Sequence, residues 1–401
     1  MSATTLRGLR IGIVGASVAG LATARFLRGY GAEVELFERS QARLESRGGG
    51  IAMDPDVVPL LGSPRGNLIE GRVVLGQSGR KLWTRPARKF MTAWSEVYSA
   101  LHAHVPETII HRGRTATHCE SQPDGIVLHF DEGSSATFDL VVGADGTGSV
   151  VRQTVAPDFQ PEYLGYVAIR GTIEEPSLPD ACDPLRQWAD HPGLVNCYGP
   201  RTHLVAYWVP SGSGKALNWM WYRNVAPRDL PQFMSDATGT THHWSLPPGL
   251  LPNERRNQLL CEMADLFPEP LSAAAEAGEK IYLQSIYKGV PARLTRGNII
   301  LVGDAAHVAV PHIGAGTSFA IQDAASLAEA ISTGDLQTAL HSWAEKRRSA
   351  AESAMAISAA LGHALQHEDH DWENWTPREF DNWWDSLVGC GGLYFDRRSA
   401  D

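Results

Sequence analysis

Apolar and polar positions change their period several times along the chain, and the changes outline a fold. Residues 9–14 form a short apolar run of β type, broken at Gly15-Ala16-Ser17-Val18-Ala19-Gly20. A helical pattern follows over residues 21–30, and a second β-type run over residues 33–37 ends in Glu38-Arg39. A β-α-β unit of about thirty residues implies parallel strands joined by a right-handed crossover. Two more β-type runs, residues 138–144 and 298–302, end in Asp145-Gly146 and Gly303-Asp304. Helical patterns then cover residues 317–331 and 336–365.

Between residues 163 and 225 the pattern becomes three β-type segments, 163–173, 203–209 and 217–225, separated by turn residues. They predict a mostly antiparallel sheet inserted between the second and third parallel strands. In the last segment, alternation puts Asn218, Met220, Tyr222 and Asn224 on one face and Trp219, Trp221 and Arg223 on the other. The expected architecture is α/β. A discontinuous Rossmann-type domain spans residues 1–155 and 280–335, a β-sheet domain spans 156–279, and a C-terminal helix with a Trp-rich tail spans 336–401.

Composition narrows the partners. The chain has 401 residues, 43% of them apolar, which is enough for two or three packed units and excludes a disordered protein. Lys and Arg total 35 against 45 Asp and Glu, a net charge of -10, so no basic field exists to hold nucleic acid or an anionic membrane. The five cysteines are scattered and never spaced C-x-x-C, which suits reduced thiols and signals no structural metal. There is no secretory pattern at the start and no run of the ~20 apolar residues a membrane helix needs, so a cytoplasmic protein without a stable membrane anchor is expected. Of the 12 tryptophans, none lies in residues 1–82 or 245–342, where the glycine-rich motifs sit.

Three motifs carry chemistry. In Gly15-x-Ser17-x-x-Gly20, Gly15 permits a tight turn, a small residue at 17 lets backbone approach a pyrophosphate, and Gly20 lets the helix lie close to the strand. The helix N-terminus offers free N–H groups, and Glu38, 23 residues after Gly15, can accept both hydroxyl protons of a ribose. A turn without a ligand is the plainer alternative. Asp145-Gly146-x-x-Ser149-x-x-Arg152 reads equally as a turn with an N-capped helix or as a binding motif. In the third motif, Gly303-Asp304 is followed by His307, Pro311, His312 and the turn Gly314-Ala315-Gly316-Thr317; Asp304 can bind a polyol, and the turn aims a helix N-terminus at an electron-rich group.

In this order and at these separations, the motifs resemble those of the single-component (group A) FAD-dependent aromatic hydroxylases of the para-hydroxybenzoate hydroxylase type, over nearly the whole chain. Ser17, Thr92-Ala93-Trp94-Ser95, the segment from Asn218 to Asn224 and Pro311-His312 before Gly-Ala-Gly-Thr look like the 2,6-dihydroxypyridine 3-hydroxylase branch. The resemblance implies that residues Gly15, Ala16, Ser17, Val18, Ala19, Gly20, Glu38 and Arg39 hold the ADP half of FAD, with Arg47 near the flavin. It implies that Asp145 and Arg152 serve flavin and nicotinamide nucleotide together, that Gly303 and Asp304 hold the ribitol, and that Pro311, Gly314, Ala315, Gly316 and Thr317 lie beside the isoalloxazine. It implies that NADH or NADPH reduces the FAD, that O2 forms a C4a-hydroperoxyflavin, and that its distal oxygen attacks an electron-rich ring. Ala315 and Ser318 depart from the Gln and Asn common in the family, and an arginine expected near Trp94 is absent.

A phenol-like or hydroxypyridine ring is more nucleophilic when deprotonated, so a relay near its hydroxyl is expected, with His312 as the leading residue and a backbone-bonding role as its alternative. His307 reads as an organiser of its loop. Tyr222, for ring stacking or hydroxyl contact, and more weakly Tyr207 and Trp208, are substrate-binding candidates, with core packing the plainer reading for each. Other flavin chemistry on the same scaffold, epoxidation, Baeyer-Villiger oxidation or halogenation, and a non-catalytic FAD protein are the alternatives; the W-x-W-x-I-P segment of halogenases is missing. The Trp-rich tail suits either a homodimer surface or a cover over the substrate domain.

Overall fold

The computed structural model of the chain describes residues 6–44, 49–212, 214–278 and 280–389. Arg47 therefore lies outside the described residues. Strand β1 (Arg10–Val14), helix α1 (Val18–Gly29) and strand β2 (Glu33–Glu38) form the expected crossover, with β1 and β2 parallel and Ile11 opposite Val34. On its other edge β1 pairs in parallel with Leu140–Gly143, which pairs in parallel with Ile299–Leu301. The carboxyl ends of three neighbouring strands thus open on one edge of a six-stranded sheet, and each delivers one motif there. Ligand crevices of open α/β sheets form on that edge, where helix N-termini converge. Ile11, Ile13, Val141, Val142, Ile300 and Leu301 are buried, so the strand interiors are anchored by packing while the following loops stay free to bind.

The second sheet has nine strands and is mostly antiparallel. Its centre is Glu162–Glu174, Gly214–Asn224 and Thr202–Ser211, as the three alternating segments predict, with Gly193–Gly199, which they did not include, beside them. It also takes in Asn67–Leu75, Lys81–Ala93 and Gly50–Met53, from a stretch that the sequence groups with the first domain. This sheet is therefore built from two parts of the chain. The reason is edge pairing: Asn67–Leu75 adds in parallel to Gly193–Gly199, a pairing with a partner too distant in sequence for periodicity to reveal.

Alternation decides what each face of this sheet meets. Leu204, Ala206, Trp208, Leu217, Trp219 and Trp221 join one buried cluster, together with residues of the helices Asp183–Asp190, Asn253–Leu266 and Glu269–Ala277. His203, Val205, Tyr207, Met220 and Tyr222 look the other way, into a cavity. The long helix Leu336–Gln366 and the helix Pro377–Val388 close that side. The last helix begins with a capping box, in which Thr376 and Glu379 satisfy each other's backbone N–H groups. Phe380 and Trp384 pack against Trp83, Trp83 Nε1 donates to Asp381 Oδ1 at 3.0 Å, and Arg85 bonds Asp385 at 2.8 Å. Among the described residues, no helix is long and apolar enough to cross a membrane.

Candidate active site

The first motif forms a groove where the strand ends meet. Gly15 has φ +99°, and a Cβ there would come within 2.4 Å of the Ala144 carbonyl oxygen, so only glycine lets the turn cross the neighbouring strand. A Cβ on Gly20 would meet the Gly15 carbonyl at 1.8 Å, which is how closely α1 lies on its own loop. Glu38 is buried and accepts from Ala16 N at 3.0 Å and Ser40 N at 2.8 Å. It therefore also ties the glycine loop to the end of β2. Neither α1 nor the helix Gly316–Ile331 has a side chain capping its N-terminus or an acid in its first turn, which leaves N–H groups and the positive dipole end for an anionic ligand. The groove has a volume of 330 Å³, and Ser17, Glu38, Arg39, Asp145, Asp304 and Thr317 are among the residues lining it. These donors and the open Asp304 carboxylate fit a dinucleotide with a polyol chain.

Asp145 and Arg152 turn out to be largely occupied by the protein itself. Asp145 accepts from Ser149 Oγ at 2.5 Å and from Val150 N at 2.7 Å, and so caps the short helix Val150–Val155. It still lines the groove, and burial raises its carboxyl pKa. Arg152 is buried and donates to the carbonyls of Thr147, Asp304 and Ala305. Its guanidinium bolts the second motif to the third. Arg152 is absent from the groove lining, so its bearing on a cofactor runs through the loop that it holds. Asp304 itself faces both cavities, and burial by the surrounding protein raises its pKa, with His307 and Arg152 pulling the other way. His307 does organise this loop: Nε2 lies 3.0 Å from Asp323 Oδ2, and Asp323 also accepts from Gly303 N and from Arg347 Nε.

The second cavity, 310 Å³, lies between the nine-stranded sheet and the turn Pro311–Ile313. It shares Trp94, Asp304, Gly316 and Thr317 with the first, so the two adjoin at these residues. His312 lines it and lies 2.8 Å through Nε2 from the Tyr166 hydroxyl. Tyr222 lies between two histidines, stacked on His203 at 4.4 Å between ring centres and 4.6 Å from His312. Burial pulls the His312 pKa down to about 3, and burial together with His312 depresses His203 further below its ordinary value. Burial also raises the Tyr166 and Tyr222 pKa values, so both are protonated phenols at neutral pH. A neutral phenol and a neutral imidazole thus share one hydrogen bond, whose direction follows the His312 tautomer. His203 Nδ1 is held 2.7 Å from Gln366 Nε2.

Of the proposed substrate residues, His312, Tyr222, Tyr207 and Pro311 line this cavity together. Trp208 does not. It sits one residue out of phase with Tyr207 and is buried in the opposite face, with Lys215 Nζ 4.3 Å over its ring. Of the expected cofactor residues, Gly15, Ser17, Val18, Ala19, Glu38, Arg39, Asp145, Asp304, Gly316 and Thr317 line the first groove, and Gly314 and Ala315 line the second cavity. Ala16 and Gly20 lie in the same turn without lining it. Several residues of this site escaped the sequence reading: Tyr166 reaches His312 from behind the lining, and Arg72, Lys89, Arg170 and Trp384 surround the far end, while Trp94, noted in the sequence only for its resemblance, stands at the junction. Tyr166 shares the face of Tyr222 on the adjacent strand, opposite Asn224, a signal that strand pairing reveals and sequence spacing does not.

Comparison with known proteins finds similar chains of one kind. Residues 163–287 match an FAD binding domain-like family model, and residues 280–358 match an FAD binding domain model. The chain is 28% identical over 373 residues to a 2,6-dihydroxypyridine 3-monooxygenase from Paenarthrobacter nicotinovorans, covering 89% of this chain and 92% of that protein. It is 28% identical over 344 residues to a 3-amino-4-hydroxybenzoate 2-monooxygenase from Streptomyces cremeus, covering 80% and 78%. The solved structure of 2,6-dihydroxypyridine-3-hydroxylase from Arthrobacter nicotinovorans superimposes with a TM-score of 0.85 at 26% identity, over 94% of this chain and 95% of that one.

Proposed function

We infer, from the membership of this chain in the single-component FAD-dependent aromatic hydroxylases, that it hydroxylates a small, flat, electron-rich ring of the hydroxypyridine or phenol type, with NADH or NADPH as electron donor. The observation that carries this reading is that the two cavities adjoin at Trp94, Asp304, Gly316 and Thr317: a groove that fits a nucleotide beside a pocket lined by Tyr207, Tyr222 and His312. Bound FAD would supply the oxygenating chemistry, with the nicotinamide as source of electrons and O2 as source of the oxygen atom. The protein supplies position and exclusion of water.

In that division of labour, the N-terminus of Gly316–Ile331 and the turn Gly314–Thr317 meet the electron-rich edge of the ring system. Asp304 holds the polyol chain, and Arg152, through the carbonyls of Asp304 and Ala305, fixes the Asp304 loop. His312 is neutral when it meets substrate, because burial opposes an imidazolium there. It orients a ring hydroxyl by hydrogen bonding, with Tyr166 holding its imidazole in place, and the plane of Tyr222 sets the height of the ring. A protonated His312 is not needed.

The test is direct. Purified protein should be yellow, contain FAD, and oxidise NADH or NADPH slowly; one member of a panel of hydroxypyridines and phenols should raise that rate and O2 uptake sharply, with a hydroxylated product. FAD that is retained while no ring compound stimulates either rate would rule this reading out and leave a non-catalytic FAD protein.

A further inference from the structure

Behind the turn Pro311–Ile313 lies a third, much smaller cavity that ring and nucleotide leave unused. Residues Ile313 and Ala315 form its wall on the side of the turn, Phe319 comes from the helix Gly316–Ile331, and Ala351, Ala354 and Met355 come from the long helix Leu336–Gln366. Its volume is about 20 Å³, against 310 Å³ for the second cavity. Ala309, Val310, Ile313 and Ala315 line both, so the two spaces adjoin along the turn.

Size and polarity select the occupant. A ring does not fit in a space of about 20 Å³, whereas one water or one diatomic gas molecule does. Water is disfavoured there, because a buried water needs two to four polar partners and this wall is almost wholly apolar. The polar side chains in the wall are engaged elsewhere: Ser358 Oγ donates to the Val310 carbonyl at 2.8 Å, and His307 Nε2 lies 3.0 Å from Asp323 Oδ2. Dry apolar cavities of this kind take up apolar guests such as xenon. Ala351 and Ala354 are buried, and a larger apolar side chain at either place would fill the void that their small size leaves.

Resting on the hydroxylase reading, we propose that this cavity is a holding site for dioxygen, set beside the turn that meets the ring system of the flavin. Of the reactants in that reading, O2 alone is both apolar and small enough to enter. Holding the gas next to the reacting centre raises its local concentration, and ring binding is spared because ring and gas occupy different spaces.

Xenon, an apolar atom, is the probe. Crystals of the FAD-loaded protein held under xenon pressure should show a xenon atom between Ala315, Phe319 and Ala354, and Ala354→Val should remove it. Stopped-flow mixing of the dithionite-reduced, FAD-loaded protein with O2 should give a bimolecular reoxidation rate at least ~5-fold lower in Ala354→Val, since losing the holding site lowers the local gas concentration. The dissociation constant of a hydroxypyridine, read from the flavin absorbance change, and the rate of flavin reduction by NADH or NADPH should stay within about 3-fold of wild type. Ala351→Val, from the same wall, takes over both measurements if overpacking keeps the first variant from folding. A wild-type cavity that takes up no xenon overturns the proposal. So does an unchanged oxygen rate in a variant that has lost the xenon, and so does a fall in that rate matched by an equal loss of ring affinity, which would mean that the turn has moved. The hydroxylase reading fails separately, if the oxygen rate depends on this cavity but no ring compound stimulates NADH or NADPH oxidation.

Discussion

At the residue scale the site depends on neutral histidines. The folded His312 pKa lies near 3, below the ~6.5 of an exposed histidine. Between those two values the unfolded chain binds more protons than the folded one, so this residue destabilises the fold progressively as pH drops from about 6.5 toward 3, with no effect above that window. His203 is shifted in the same direction and adds to the loss. His312→Gln should therefore flatten the fall in melting temperature between pH 7 and 5 relative to wild type, and should lower hydroxylation while FAD stays bound. A melting profile that tracks wild type across that range would contradict the neutral, enclosed state of this histidine. The motif glycines and the placement of His312 beside Pro311 are readable residue by residue. Its hydrogen-bond partner is not, because Tyr166 lies 146 positions away and comes within 2.8 Å only through the sheet.

At the element scale, the long helix Leu336–Gln366 is shaped to the site by one position. A Cβ on Gly362 would stand 2.5 Å from His312 Cδ2, 2.6 Å from its Nε2 and 2.6 Å from the Tyr166 hydroxyl. Helix propensity favours Ala over Gly by about 1 kcal/mol, so the glycine is kept against the helix's own preference. Gly362→Ala should lose more by overpacking, about 1–3 kcal/mol, than it gains in helicity. The expected result is a lower melting temperature with NAD(P)H oxidation less tightly coupled to hydroxylation, read as product formed per nicotinamide consumed. An unchanged coupling ratio would show that the His312–Tyr166 pair does not govern chemistry. The helix itself is plain in the sequence pattern over residues 336–365, but nothing in that pattern tells this glycine from a defect. Likewise, the alternation along Gly214–Asn224 separates two faces, and the tertiary packing alone says which one meets helices and which one lines the cavity.

At the scale of the whole molecule, the aromatic tail is part of the pocket. Trp384 is buried, lines the cavity, carries Arg72 on its face and packs against Trp83. Trp384→Ala should cost about 3–5 kcal/mol of stability and leave space at the far wall. Bulkier rings should then bind more tightly relative to small ones, as measured by flavin titration, and a fixed order of affinities would place the wall elsewhere. The sequence by itself determined the nucleotide half: local glycines, strand periodicity and an acid at a set distance build that site from short-range geometry, so a linear pattern suffices. Only the tertiary structure decided the substrate half. Its walls come from Gly50–Met53, Asn67–Leu75, Lys81–Ala93, the central strands and the C-terminal helices, which meet through long-range strand pairing and packing. A side chain such as Arg170 or Trp384 gains its role there from distant neighbours, and those leave no trace in its own stretch of sequence.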